Sequence, residues 1–324
     1  MTNATVGIYC DLGPSLGAGH FVRCSALGAA LVAEGARVEI VADFASVPWA
    51  AEQAADLGLA AIQGLVPDAV ARASAWDVAV VDSYLASASD FAGLPVPLAA
   101  IDDEDRRPLP AALVVNQNLN APECPYSDWS AESVLRGPAY ALVRPRIRAA
   151  RPPSYPERDW TGRPQRVLVV LGGTDAGGGA ATVASLALTA LAPVDLRVIS
   201  PRPLGALPVP AGSSVEVTAP VLAVEELMTG ADLVLSAAGT TIFELCCLGV
   251  PMALAVAADN QLPNYGHVLR DGLGAGLGRV GEITSLPAEL RDPALLNAHG
   301  KAAYATVDGL GASRVAEAVL ALVR

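Results

Sequence analysis

The chain has 324 residues, is 52% hydrophobic and 17% charged, and carries a formal net charge of -12. Its length predicts two domains rather than one core, and its apolar content excludes a disordered chain. The acidic balance, with a pI near 4.7, excludes a nucleic-acid binder, which needs basic stripes to neutralise phosphates.

Short apolar runs alternate with helix-like segments along the whole chain. In the first half the runs are residues 6–10, 37–42, 78–82, 98–102 and 113–116, with an Ala/Leu-rich helix expected from Arg23 to about Glu34 and ended by Gly35. Near-continuous apolar strands separated by helices mean βαβ units and a parallel sheet. Between Tyr140 and Gln165 the pattern breaks: five prolines and a cluster of arginines mark a connector. A second series follows at 167–171, 196–199, 215–218, 233–236 and 252–256, and a last helix at 313–323 is placed to pack back on the first half. The expected organisation is a Rossmann-like domain at 1–145, a linker at 146–165 and a nucleotide-sugar-binding domain at 166–324. The fold class is α/β, two doubly wound domains facing a cleft, with the ligand between their strand C-termini.

The five cysteines at 10, 24, 124, 246 and 247 show no metal-ligand spacing, and an odd count suits a reducing compartment. Cys246 and Cys247 read as small buried hydrophobes. No signal-peptide pattern and no apolar run of about 18 residues is present, so a cytoplasmic protein without stable membrane association is expected. A monomer is compatible with the sequence.

Four stretches carry chemistry. Gly17-Ala18-Gly19-His20 follows a strand and precedes a helix, a place where free backbone amides hold anions and a histidine can move a proton near neutral pH. Its spacing is not the dinucleotide G-x-G-x-x-G. Leu171 to Gly179, with Gly173 and Thr174, follows a strand but lacks the Gly-Lys-Ser/Thr of a Walker loop; close approach to a sugar or phosphate and a flexible loop are equally open. Ser236-Ala237-Ala238-Gly239-Thr240-Thr241 leads into a helix whose first amides suit a diphosphate, with Thr240 as its cap. Glu244, one turn further on, is placed for the two hydroxyls of a ribose. Asp259-Asn260-Gln261 adds polar amides after the next strand. His267 and His299 read as surface or packing residues.

These stretches, together with Arg23-Cys24, Val81-Asp82-Ser83-Tyr84, Ile101-Asp102-Asp103, Asn116-Gln117-Asn118-Leu119, Leu142 to Pro145 and Asp308 to Arg314, resemble the UDP-sugar hydrolases of the pseudaminic acid pathway and the related spore-coat polysaccharide proteins. The resemblance covers nearly the whole chain. It implies the two-domain GT-B architecture, similar to the lipid-linked glycosyltransferase of peptidoglycan synthesis. It further implies His20 as catalytic base, with Asp11 and Tyr84 beside it, Asn260 and Gln261 on the sugar or diphosphate, and Glu244 on the uridine ribose. The family's first strand runs Arg-x-Asp into small polar residues; here Asp11 is kept, but Tyr9 replaces the arginine and Leu12-Gly13-Pro14 the polar run. The activity expected on these grounds is inverting hydrolysis of a nucleotide-activated amino or deoxy sugar at the anomeric carbon. His20 would activate water, and neither metal nor cofactor would be needed. The alternative is a GT-B glycosyltransferase delivering the sugar to a soluble acceptor hydroxyl, and a non-enzymatic nucleotide-sugar binder is a third reading.

Overall fold

The computed structural model describes residues 3–103, 108–158, 162–175, 177–220 and 223–323. It divides into two compact units, Met1–Pro145 with Gly309–Arg324, and Arg146–Asp308.

The first unit alternates β1 (Thr5–Cys10), α1 (Gly19–Ala33), β2 (Arg37–Ala42), α2 (Pro48–Asp56), β3 (Ala60–Gln63), α3 (Val66–Arg72), β4 (Val78–Asp82), β5 (Leu98–Ile101), β6 (Leu113–Asn116) and β7 (Ser133–Arg136). The strands form one seven-stranded sheet in the order β3-β2-β1-β4-β5-β6-β7, with parallel pairing throughout. The inner strands β4, β5 and β6 are buried along their whole length, as an apolar strand covered by helices on both faces must be. The edge strands β3 and β7 are four residues each with none of them fully buried, and each has only two or three apolar residues, so five strands rather than seven were legible there.

The second unit opens on α4 (Pro145–Ala150) and continues with β8 (Arg166–Val170), α5 (Ala180–Leu191), β9 (Asp195–Ile199), β10 (Ser214–Thr218), α6 (Val224–Gly230), β11 (Leu233–Ala237), α7 (Thr241–Leu248), β12 (Met252–Val256), α8 (Leu262–Arg270), β13 (Ala275–Arg279) and α9 (Pro293–Thr306). Its six-stranded sheet runs β10-β9-β8-β11-β12-β13, again all parallel. Within the connector 146–165, Ile147 is fully buried. The Arg151 guanidinium stacks on Tyr304 at 3.6 Å and donates to the carbonyls of Cys247, Val307 and Tyr304. Cys246 and Cys247 lie inside α7, and burial pushes the Cys246 thiol up to about 12, so it is inert as a nucleophile at neutral pH.

The last helix, α10 (Gly311–Ala321), belongs to the first unit. Its Val315, Ala316 and Val319 join Phe21, Leu27 and Leu31 of α1 in one core. The approach is close at its start: a Cβ on Gly311 would sit 2.3 Å from the Ala141 carbonyl oxygen and 2.4 Å from the Ala141 nitrogen. Backbone cannot yield as a side chain can, so Gly311→Ala is expected to destabilise the first unit by about 1–3 kcal/mol. Urea denaturation followed by circular dichroism measures it; an unchanged midpoint would show that α10 is not anchored there.

Candidate active site

β1 and β4 lie side by side where the strand order of the first sheet reverses, and their last residues Cys10 and Asp82 are in register. In a parallel sheet the crevice beyond the strand ends at such a point is where ligands bind. After β1 the chain makes a small closed loop in which Gly13 and Gly17 exchange backbone hydrogen bonds. Gly17 stands at φ 82°, a conformation open to glycine without strain.

α1 then starts at Gly19, not at Arg23, because the chain turns at Gly17 and the Ala18 carbonyl already accepts from the Val22 amide at 2.9 Å. His20 is therefore part of the first helical turn, and Arg23 follows it one turn later on the same face. The His20 Nδ1 lies 2.7 Å from Asp82 Oδ1. A carboxylate can only accept, so Nδ1 carries the proton, and in the neutral imidazole Nε2 is the nitrogen with the lone pair. Nε2 makes no hydrogen bond among the described residues.

Beneath this pair lies a buried ionic network. Arg23 donates to Asp82 through Nε and Nη2, both at 2.6 Å, and to Asp103 through Nη1 at 2.7 Å and Nη2 at 2.9 Å. Asp82 is wholly buried and Arg23 is 3% exposed. Burial alone would raise the Asp82 carboxyl, but the Arg23 guanidinium and His20 outweigh it and hold it well below the usual carboxylate range. Asp103 is lowered in the same way: Arg23 outweighs its burial and the repulsion of Asp82. The Cys24 thiol donates to Asp82 Oδ2 at 3.4 Å, and burial pushes it up, so it is not a thiolate.

Tyr84 connects to the network from the loop after β4. Its hydroxyl donates to Asp103 Oδ2 at 2.5 Å, and its ring stands edge-on to His20 with centroids 4.4 Å apart. Asp11, buried at 2% exposure, places that loop: its carboxylate accepts from the Ser83 hydroxyl at 2.8 Å and the Tyr84 amide at 2.7 Å. The Tyr9 hydroxyl also donates to Asp11, at 3.3 Å. The structure thus brings Asp11, His20 and Tyr84 together beside Gly17 and Gly19, with the oxygens of Asp11 already occupied by protein donors.

In the second unit the remaining candidates surround the corresponding reversal between β8 and β11. The loop after β8 has Gly172 at φ 92°, Gly178 at φ 66° and, among non-glycine residues, Asp175 at φ 43°. The Asp175 carboxylate accepts from the Gly179 amide at 3.1 Å, and Arg202 donates to the Asp175 carbonyl at 2.7 Å. Gly173 and Thr174 are half-buried within this braced loop. The Ser236 hydroxyl is fully buried and donates to the Val170 carbonyl at 2.9 Å, linking β11 to β8. Thr240 occupies the N-cap of α7, but its side chain makes no capping hydrogen bond. Its backbone there is helical (φ -59°, ψ -23°), whereas a capping side chain requires an extended N-cap residue.

Thr241 is half-buried at the start of α7 and Glu244 is 3% exposed one turn on. Gln261 is held by its Oε1, which accepts from the Ala257 amide at 2.8 Å. A Cβ on Gly239 would stand 3.5 Å from Gln261 Nε2, so the amide group of Gln261 lies over the start of α7, next to half-buried Asn260. Asp259, which precedes them, accepts from Arg279 at 2.6 Å. Of the other histidines, His267 is hydrogen-bonded to Arg270 at 2.5 Å and His299 is lowered by burial; both sit in helices.

No family model matches the chain, and no curated relative matches it significantly. Solved structures do. MnaA of Staphylococcus aureus with bound UDP superposes with a TM-score of 0.68 at 12% identity, over 98% of this chain and 97% of its own. MurG of Acinetobacter baumannii gives 0.63 at 15% identity over 98% and 99%. The glycosyltransferase SsfS6 of Streptomyces sp. SF2575, in complex with thymidine diphosphate, gives 0.62 at 15% over 98% and 100%. The chain has the GT-B fold. The similarity does not single out the UDP-sugar hydrolases within it.

Three residues of this site received no role from the sequence. Arg23, Asp82 and Asp103 were visible only as members of short motifs, because their partners lie far away in the chain: Arg23 meets Asp82 across 59 residues and Asp103 across 80. One local signal was available. A carboxylate that directly ends an apolar strand, as Asp82 does, stands at the carboxyl edge of the sheet, beside the crevice where doubly wound folds bind ligands. Among the described residues, no cluster of His, Cys, Asp or Glu is arranged to hold a metal ion, and no helix is long and apolar enough to cross a membrane.

Proposed function

We propose that the chain is an enzyme acting on a nucleotide-activated sugar, and that it transfers the sugar to an acceptor hydroxyl. The observation that carries this reading is the pair of His20 and Asp82 at the strand reversal of the first sheet: an imidazole with Nδ1 engaged, Nε2 open, and an ionised carboxylate behind it. That is the arrangement a general base needs, with the orienting acid stabilising the imidazolium that forms. His20 Nε2 takes the proton of the attacking hydroxyl as oxygen bonds to the anomeric carbon and the bond to the diphosphate breaks, inverting the centre. Tyr84, edge-on to His20, walls the site. The first-turn amides of α7, uncapped by Thr240, and the Gln261 amide receive the departing diphosphate, and Glu244 takes the ribose hydroxyls.

Transfer is preferred to hydrolysis because the solved structures that share the fold include a glycosyltransferase carrying a nucleoside diphosphate. Purified protein incubated with UDP- and TDP-sugars, with and without hydroxyl acceptors, tests it by NMR of the anomeric proton. Glycoside formed only when acceptor is present is the expected result; free sugar released equally fast without acceptor would return the assignment to hydrolysis. For the nucleotide side, losing two charge-assisted hydrogen bonds in Glu244→Ala should weaken UDP binding about 10–100-fold. Calorimetry reads this directly, and an unchanged Kd would remove Glu244 from the ribose site.

A further inference from the structure

We propose that Arg23 is the positioning residue of this site: its guanidinium, by forking onto Asp82 and Asp103 together, sets the orientation and tautomer of the His20 imidazole. The inference rests on the base role given to His20 above and goes beyond it. Two carboxylates converge on one guanidinium, and all four of their oxygens accept from it. Asp82 Oδ1, the atom that receives His20 Nδ1–H, is the same atom that accepts from Arg23 Nη2. Asp103 is fixed from its far side by Asn118 Nδ2 at 2.8 Å, and it in turn accepts from Tyr84. The orientations of the base and of the ring beside it are therefore set by one planar cation.

Charge and shape both matter. Asp82 and Asp103 face each other through Arg23, so without it two buried carboxylates would share the site, and at least one would take up a proton or keep His20 protonated. A lysine would restore the charge, but a single ammonium cannot serve two carboxylates in the fixed fork geometry. Among the described residues, the titratable groups that face His20 are Asp82 from β4, Arg23 and Cys24 from α1, and Tyr84 and Asp103 from the loops after β4 and β5. Among the cations of the described residues, Arg23 is the one bonded to both acids.

The test needs no substrate. Nitrogen-15 NMR of the imidazole in the full chain reports the His20 tautomer and its titration, with His20→Asn providing the assignment. In wild type the Nδ1–H tautomer is expected. In Arg23→Met the titration should move up by about one pH unit or more, with loss of the single tautomer. In Arg23→Lys the titration should recover while the tautomer stays mixed. If Arg23→Met does not fold, Arg23→Met combined with Asp103→Asn, which leaves the net charge of the cluster unchanged, is read by the same criteria. A folded variant of either kind with wild-type tautomer and titration would overturn the proposal, as would a lysine variant indistinguishable from wild type. Where turnover is measured, the acidic limb of kcat/KM should move up with the imidazole titration, and kcat/KM at neutral pH should fall about 10-fold or more. If no nucleotide sugar is turned over, the base role fails while the NMR outcome still decides the role of Arg23.

Discussion

His20→Asn is expected to lower kcat about 10²–10⁴-fold while leaving UDP affinity close to that of wild type. The size follows from what is removed. His20 is the one imidazole at the strand reversal, its Nδ1 is committed to Asp82, and its Nε2 is the open basic nitrogen. Losing a positioned base removes proton transfer from the transition state, which corresponds to about 3–5 kcal/mol of barrier. The nucleotide contacts proposed here lie on the second unit, so binding and chemistry should separate cleanly. Asparagine fills similar space and can still face Asp82, which keeps the comparison to the chemistry. Single-turnover kinetics beside UDP calorimetry makes the measurement, and a variant with unchanged kcat would sink the assignment of His20.

Asp82 is expected to give the largest combined effect. Asp82→Ala leaves the Arg23 guanidinium with only Asp103, and leaves His20 unoriented, in a site where Asp82 is fully buried and Arg23 nearly so. Breaking a buried pair from one side costs about 3–5 kcal/mol, a large part of the about 5–15 kcal/mol that holds a domain folded. Asp82→Asn separates function from stability. Arg23 demands two acceptors and His20 Nδ1–H a third, but an amide offers one oxygen, so its NH₂ must face a donor. The relief available is for His20 to move its proton to Nε2, which disables the base. Turnover should therefore fall about 10²–10⁴-fold even where the protein folds, as for an orienting Asp in a Ser-His-Asp triad.

The same carboxylate gives a pH signature. Its folded pKa is held below the ordinary value, so the unfolded chain binds the proton first as pH falls. The stability it contributes is complete above about pH 4 and is lost on acidification from there toward the folded pKa. Thermal melts of wild type should lose stability below about pH 4 more steeply than those of Asp82→Asn; parallel curves would show that the network adds nothing to acid stability.

Much of this architecture was legible in the chain. Nine of the ten apolar runs correspond to inner strands, because a strand covered on both faces must be largely apolar; the tenth is β10, an exposed edge of the second sheet. Three strands escaped. β3 and β7 are short edge strands with no fully buried residue, and β13, Ala-Gly-Leu-Gly-Arg, hides its apolar character behind two glycines. The glycine turn before His20 was visible because Gly17 stands at φ 82°, backbone that glycine adopts without strain. Side-chain partners were not. The Ser236 hydroxyl is bonded to the Val170 carbonyl, Thr240 looked like a cap and makes no capping bond, and α1 began a turn earlier than its apolar stripe, which moved His20 into the helix.

By itself the sequence determined the α/β class, the two series of strands and the glycine turn between β1 and α1, because apolar periodicity and left-handed backbone are local properties. The tertiary structure alone decided that Arg23 joins Asp82 to Asp103, that Asp11 holds the Tyr84 loop, and that α10 completes the first core. Each of these is a contact between groups far apart in the chain, made only when parallel strands align their carboxyl ends. His20 was a histidine in a glycine turn; the register of β1 against β4 made it half of a buried dyad.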